Sequence, residues 1–578
     1  MTLTLEQWKE ILDTVNPDKG DILKQIKENL KKDHDRIYKI FKIKDFGIND
    51  EFPLESRRVS LLHIAASNGK SKIVEYLIGK GVDVNVRDHN DNTPLHWAAR
   101  YGHLEVVQAL LEQTEINVDV KNNHGDTPLN WAAHNGHSEV VACLIDKGAN
   151  FDVKNYDGNT LLHWLICNSH SKVVKYFIKK KEVNVDAKNN YGNTPLHLAV
   201  RNGCLEVVKA LLEKNAKVDI TNDYGDTPLH DAASNGYLDI VKALLEQTEV
   251  NVDVKNNYGD TLLHLAARNG RSEVVAYLIS KGAKIDISNN DGNTPLHLAA
   301  RNGHSEVVAY LISKGAKIDI SNNDGNTPLH RAVASGHLGT VQVLLEQPGV
   351  NVDVKNNYGN TPLHWAARYG HSEVVAYLIS KGAKVDITNN YGDIPLHDAA
   401  SNGYLDIVKA LLEQPGVNVD VKNNYGNTLL HLAARNGHSE VVAYLISKGA
   451  KIDISNNDGN TPLHRAVASG HLGTVQVLLE QPGVNVDVKN NYGNTPLHWA
   501  ARYGHSEVVA YLISKGAKVD ITNNYGDIPL HDAASNGYLD IVKALLEQPG
   551  VNVDVKNNYG NTPLHWAARY GHSINYVF

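Results

Sequence analysis

The chain has 578 residues, 42% hydrophobic and 21% charged, with a formal net charge of -8. That balance fits a folded, water-exposed protein and excludes the basic footprint of a nucleic-acid binder. A chain this long would ordinarily hold several domains of about 100–200 residues, but internal repetition has to be weighed before any domain count.

The first twenty residues, opening Met1-Thr2-Leu3-Thr4-Leu5-Glu6, contain no continuous apolar run of a secretory signal. Residues 1–57 do not follow the pattern of the rest. Leu5–Leu12, Asp21–Lys32 and His34–Lys44 each carry apolar residues at helical spacing and predict helices. The expectation is a helical N-terminal cap over the first repeat, the alternative being a separate docking or delivery element.

From residue 58 a histidine marks time. It stands at His63, His96, His163, His197, His230, His264, His297, His330, His364, His397, His431, His464, His498, His531 and His565, with Asn130 in its place once. The spacing is 33 or 34 residues, which makes sixteen copies, the last incomplete. In Thr93-Pro94-Leu95-His96-Trp97-Ala98-Ala99-Arg100-Tyr101-Gly102, Thr93 suits an N-cap and Pro94 the first turn of a helix. Leu95, Ala98 and Ala99 share one face, the alanines permitting close helix contact, and Gly102 suits the left-handed residue that ends the helix.

A second helix follows, as at Ser138–Ile145, and stops near Gly148. The next stretch, such as Val252–Gly259, alternates briefly and then turns, which predicts a hairpin-like loop. Helices of about ten residues are marginal alone, so stability must come from stacking on neighbours. Some second helices end in Ser-Lys-Gly-Ala-Lys (Ser280–Lys284) and others in Gln-Pro-Gly-Val-Asn, one residue longer; this should alter the outer loop and not the stack. The hairpin before the second copy has Asp91 where glycine is usual. The fourth copy has Leu165 and Ile166 in place of Ala-Ala and Ser169 in place of the terminating glycine, and should be the least regular.

Leu296–Thr428 is identical to Leu430–Thr562 at an offset of 134 residues, a four-repeat block present twice. The last copy departs from the pattern at Ser573–Phe578, which suggests a truncated product or a tail that folds back. The expected organisation is a cap (1–57), a repeat array (58–572) and a short tail (573–578).

The period and the run Thr-Pro-Leu-His-x-Ala-Ala resemble the ankyrin-repeat family from about Val59 to His572. The resemblance implies an all-α ankyrin solenoid of helix-turn-helix units with β-hairpin loops, elongated and curved, whose first helices and hairpins line a concave, partner-binding surface. Dense near-identical repeats also resemble ankyrin-repeat proteins of intracellular bacteria, some of which act on host proteins.

Chemistry finds little support. Fifteen histidines hold the repeat position and ten more follow the first helix, as at His103, His304 and His371. Adjacent repeats put equivalent residues about 10 Å apart, while zinc needs ligands at about 2 Å. These histidines therefore read as ties between neighbouring loops. Asp231, Asp398 and Asp532 share one position four or more repeats apart, far beyond the roughly 5–9.5 Å of a glycosidase pair. No nucleophile elbow, phosphate-cradling glycine loop or HExxH occurs. Cys143, Cys167 and Cys204 match no CxxC spacing and read as filler in a reducing setting. No cofactor and no catalysis are expected.

Binding has a clearer mark. The residue after the repeat histidine varies while its neighbours do not, and six of the seven tryptophans take it: Trp97, Trp131, Trp164, Trp365, Trp499 and Trp566. At about 100° per residue from Leu95, Trp97, Arg100 and Tyr101 fall at roughly 200°, 140° and 240°, opposite the core. From Arg331 onward the position reads Arg331, Trp365, Asp398, Leu432, Arg465, Trp499, Asp532, Trp566, accompanied by Arg368, Tyr369, Arg502 and Tyr503. Hairpin tips add Tyr358, Tyr391, Tyr492 and Tyr525. Trp, Tyr and Arg dominate interface hot spots, so this row is the expected site for a protein partner; the alternative is that the tryptophans stiffen the stack by packing on the next repeat. The full expectation is a monomeric, intracellular, non-catalytic scaffold without nucleic acid or membrane insertion. The alternative is the repeat portion of a larger toxin or signalling enzyme.

Overall fold

Most repeats begin where threonine meets proline. Thr361 sits in extended backbone ahead of Pro362–Tyr369, the proline filling a first-turn position that needs no N–H partner. The helix ends at Gly370 in the left-handed region, φ 80°. A second helix, Ser372–Ser380, runs back beside it. Leu363, Ala366 and Ala367 of the first (inner) helix and Val374, Val375 and Leu378 of the second (outer) helix are buried.

The computed structural model describes residues 3–34, 51–54, 57–167, 171–179, 183–247 and 250–572. They fall into two units, Met1–Ala266 with Glu273–Lys284, and Ala267–Ser272 with Ile285–Phe578. Within each unit the same arrangement recurs: an inner helix of seven or eight residues, an outer helix of eight or nine, and a loop. Inner helices pack on inner helices of adjacent repeats, as Pro295–Arg301 does on Pro328–Ala334, and outer on outer. Helices this short would not persist in isolation, so the alanine pair that lets them approach carries the fold.

In the first unit, Leu5–Asp13 starts with a capping box in which Thr4 and Gln7 exchange backbone-to-side-chain bonds of 2.9 and 3.2 Å. Ile22–Asp33 follows with Asp21 as its N-cap. A two-stranded antiparallel pair, Glu51–Leu54 with Arg57–Ser60, sets Phe52 opposite Val59. Trp8 and Phe52 are fully buried and meet edge to face at 5.5 Å. Leu5–Asp13 packs on the first inner helix, Leu61–Ser67, while Asp13 pairs with Lys70 and Asp21 accepts from the Tyr76 hydroxyl at 3.3 Å. The strand pair was not among the expected elements; four-residue strands give too few positions for a period-2 signal. The helix expected at His34–Lys44 lies outside the described residues, except that His34 closes the helix before it.

The loops between repeats are turns without β-ladders among the described residues. Asparagines take over the ladder's work. The Asn322 side-chain oxygen accepts from the backbone N–H of Asp324 (3.1 Å) and Asn326 (2.9 Å), and its amide donates to Asn293 of the preceding repeat at 2.9 Å. Asp91 does hold the left-handed turn position expected of a glycine, with φ 60°. In the fourth copy Leu165 and Ile166 are buried where alanines usually sit, and Ser169 lies outside the described residues, as does the tail from residue 573. Outer helices of the Lys-Gly-Ala type run nine residues and those of the Gln-Pro-Gly type eight. Contrary to the expectation, the extra residue reaches the stack as well as the loop. Inner helices pack more extensively across the shorter loop, as Pro295–Arg301 on Pro328–Ala334, than across the longer, as Pro328–Ala334 on Pro362–Tyr369. Among the described residues no helix is long and apolar enough to cross a membrane.

Candidate functional site

Most of the histidines are structural ties, although at His230 and His397 the buried Nε2 has no hydrogen-bond partner among the described residues. The Thr361 N–H donates to His364 Nδ1 at 3.1 Å, and His364 Nε2 lies 2.9 Å from the Asp393 carbonyl of the next repeat. A backbone N–H only donates and a carbonyl only accepts, so the ring is neutral with its proton on Nε2. Burial pushes the His364 pKa down to about 4, against the opposing pull of the Asp393 carbonyl. The histidine after the inner helix ties in the other direction, His371 Nε2 reaching the Ala334 carbonyl of the preceding repeat at 3.1 Å. Among the described residues no three His, Cys, Asp or Glu side chains gather as metal ligands.

The row at the variable position is built by this register. In the repeat at His364, Tyr369 stacks on Trp365 with centroids 5.5 Å apart and planes 5° apart. The Arg368 guanidinium lies 5.3 Å over the same indole. Trp499, Tyr503 and Arg502 repeat the arrangement at 5.4 and 5.6 Å, and Trp566, Tyr570 and Arg569 at 5.8 and 5.3 Å. Each indole is half-buried, whereas Tyr369 and Tyr503 remain 48% and 47% exposed. The tip residues Tyr358, Tyr391, Tyr492 and Tyr525 are also exposed, each fixed through its backbone N–H on an asparagine side chain at 2.9–3.0 Å. Arg331 and Arg465 are half-buried, 3.6 and 3.7 Å from Asp324 and Asp458.

Three residues expected on the open face do not lie there. Trp97 is 2% exposed; its indole N–H donates to Asp88 at 3.0 Å and its ring abuts His63. Asp88 stands where other hairpins have asparagine, and burial alone would raise its pKa, but bonds from Asn92, Asn90 and Trp97 outweigh that and hold it low. Trp97 is thus a fastening of its own repeat to its hairpin. Asp398 and Asp532 are 7% and 6% exposed, covered by arginines of the preceding repeat. Arg368 Nε and Nη2 donate to one Asp398 oxygen at 3.0 and 2.8 Å, and Arg502 does the same to Asp532 at equal distances. Burial pushes both carboxyls up to about 6 against the arginine's pull. A helical wheel relates a residue to its own core and is blind to the neighbouring helix, which here covers the side chain.

At the second and third copies Arg100 crosses to the next repeat instead, its guanidinium 4.8 Å over Trp131, while Tyr101 stays 37% exposed. Trp131 and Trp164 meet His96 and His134 edge to face. Trp97 therefore serves its own hairpin and abuts the preceding repeat, and Trp131 likewise packs on the preceding repeat, neither by way of the next repeat. The asparagine ladder was not singled out from sequence, although the doubled Asn-Asn before most turns, as at Asn356-Asn357, was its signal.

Comparisons with known proteins agree with this geometry. The model for ankyrin repeats (3 copies) matches successive, overlapping stretches from residues 62–155 to 520–577. Similar proteins include palmitoyltransferase AKR1 of Lachancea kluyveri, 55% identical over 56 residues, which is 10% of this chain and 8% of that protein. E3 ubiquitin-protein ligase XBAT33 of Arabidopsis thaliana is 52% identical over 52 residues, 9% of this chain and 10% of its own length. Palmitoyltransferase ZDHHC17 of Rattus norvegicus is 44% identical over 59 residues, 10% of each. The matched segments thus span about a tenth of these relatives. With capped inner helices, alanine-faced packing and the histidine tie repeated under a family model that follows nearly the whole chain, this protein belongs to the ankyrin-repeat family.

Proposed function

We propose that this protein is a non-catalytic scaffold that binds partner proteins along the inner-helix row and the hairpin tips, inside a cell and as a monomer. The stacked Trp–Tyr pairs carry the reading. Tyr369, Tyr503 and Tyr570 are held rigid on an indole, and half of each ring is left to solvent. An aromatic side chain ordered before contact binds at low entropic cost. The two identical blocks offer the same surface twice to a repetitive or bivalent partner; a host-cell protein is one such partner for an effector of this family.

The test is capture of a partner by wild type and by Tyr369→Ala with Tyr503→Ala, followed by thermal unfolding of both. Reduced capture at unchanged stability is the expected result, because these rings contribute little to the core. Unchanged capture with a lowered melting temperature would assign the rings to the stack. A second reading is favoured by the enzymes among the similar proteins: the repeats recruit substrates for a catalytic domain. Transfer of a modification to the captured partner, dependent on Tyr369 and Tyr503, would support it.

A further inference from the structure

The inner-helix register sets an arginine of one repeat against the variable position of the next. Where that position is aspartate an ion pair forms: Arg201 with Asp231 at 3.2 Å, Arg368 with Asp398 and Arg502 with Asp532 at 2.8 Å. At two places the same register opposes like charges, Arg301 against Arg331 and Arg435 against Arg465. Neither Arg301 nor Arg435 has an ion-pair partner among the described residues. Asp324 and Asp458 only approach Arg331 and Arg465 from the hairpin, at 3.6 and 3.7 Å, and both are themselves half exposed. Arg331 Nε is buried with no hydrogen-bond partner among the described residues. Beside the second pair a cleft of about 190 Å³ opens between Arg435, Arg465, Ser469, Trp499 and Tyr503. A half-buried guanidinium set beside an exposed one of the same charge is disfavoured unless an anion completes the site.

We propose that the Arg435–Arg465 cleft, and its copy at Arg301–Arg331, receive a carboxylate from an acidic segment of a protein partner, with the Trp499–Tyr503 stack (Trp365–Tyr369 in the copy) walling the adjoining residue. This rests on the protein-binding reading of the row. The guest carboxylate does between two arginines what Asp398 does for Arg368, accepting charge-assisted bonds from a planar fork. The cleft suits one anion and belongs to a chain of net charge -8, unlike the basic stripe that a nucleic-acid backbone requires.

The two arginine pairs are not equal. Asp291 also acts on Arg331, so two arginines there face two acids. Its counterpart 134 residues on is Tyr425, so the second pair faces Asp458 alone. The Arg435–Arg465 cleft is therefore the stronger anion site, although the blocks themselves are identical.

The experiment uses the full chain and short fluorescein-labelled peptides with a Glu-Asp-Tyr core, compared with Gln-Asn-Tyr and phosphoserine-Tyr twins, by anisotropy at two salt concentrations. The acidic peptide is expected to bind at least about 10-fold more tightly than its neutral twin, and more weakly as salt rises. With Arg301→Gln silencing the first copy, Arg435→Gln and Arg465→Gln each should cost about 10-fold, and Tyr425→Asp a few-fold. Circular dichroism and melting curves confirm folding; Arg435 is exposed, so its substitution leaves the stack intact. Equal binding of the neutral twin, or no loss in either arginine variant, overturns the proposal. Binding of the phosphoserine twin alone replaces the carboxylate with a phosphate and overturns it too. Loss on Tyr503→Ala without loss on the arginine variants removes this inference and leaves the protein-binding reading standing; a cellular partner indifferent to every one of these changes removes that reading as well.

Discussion

Arg368 and Asp398 belong to different repeats, yet the arginine donates twice, from Nε and Nη2, to a single oxygen of the aspartate at 3.0 and 2.8 Å. The second carboxylate oxygen of Asp398 is buried and has no hydrogen-bond partner among the described residues. The pair is therefore an inter-repeat clamp with half its acceptor capacity unused, and the duplicated block contains it again at Arg502 and Asp532.

Breaking that clamp from one side should cost more than removing it. Asp398→Ala leaves a half-buried guanidinium without its anion, and the expected loss is about 1–3 kcal/mol. Arg368→Ala with Asp398→Ala should cost less than the two single changes together, with a coupling of about 0.5–3 kcal/mol. Urea unfolding of the four variants measures it. Additive losses would mean that the pair contributes nothing across the repeat boundary.

The histidine tie has a natural half-measure in Asn130, whose side-chain oxygen accepts from the Thr127 N–H at 2.9 Å and so keeps the capping contact. His364→Asn should retain the bond to Thr361 and lose the one to the Asp393 carbonyl, at about 1 kcal/mol. His364→Ala loses both and leaves a cavity, at about 2–3 kcal/mol. Denaturant midpoints that place Asn and Ala together would show that the cap, not the inter-repeat bond, is what matters.

Acid should loosen the array. Burial, opposed by the carbonyl bond, pushes His96, His163, His197, His330, His364, His431, His464 and His498 down to about 4. A depressed folded pKa means that the unfolded chain takes up protons first. This stability is complete above the ordinary value of 6.5 and is lost as pH falls towards 4. Asp231, Asp398 and Asp532, raised to about 6 by burial, act in the opposite sense: their contribution is present below the ordinary 3.8 and disappears as pH rises through 6. Eight histidines outweigh three aspartates, so denaturant midpoints should fall steadily between pH 6.5 and 4. A flat profile across that window would contradict the neutral histidine tie.

Two glycines should answer alanine with opposite signs. At Gly370, φ 80°, an added Cβ would lie 2.5 Å from the Tyr404 ring of the next repeat. Gly370→Ala combines backbone strain with a clash and should cost about 2 kcal/mol or more. Gly339 lies within the outer helix Leu338–Leu345 and an added Cβ meets nothing within 4 Å among the described residues. Gly339→Ala should stabilise by about 0.5–1 kcal/mol. Thermal melts of the two variants should move apart, and a destabilising Gly339→Ala would indicate that the outer helices are not limited by local propensity.

How much of this was legible in the sequence depends on how far apart the interacting residues lie. The period, the Thr-Pro start, the alanine face and the terminating glycine all act within a few residues of one chain segment, where helix geometry makes spacing equivalent to direction. They led to the inner and outer helices and to the exposed Tyr369 and Tyr503. The short strands at 51–54 and 57–60 left no such periodic mark. The assignment of histidines as ties also followed from spacing, because ligands one repeat apart cannot meet on a metal.

The sequence by itself determined the repeat, its caps, its core face and the row on which variable residues stand. Only the tertiary structure decided what each member of that row touches. The register between adjacent inner helices buries Asp398 under Arg368, lays Arg100 across Trp131 and brings Arg435 beside Arg465, residues 30 or 31 positions apart. A helical wheel cannot supply that information, since the face that is open on one helix is partly closed by the next. The Arg301–Arg331 and Arg435–Arg465 pairs, invisible as single letters, exist only because the stack sets one repeat's arginine against its neighbour's.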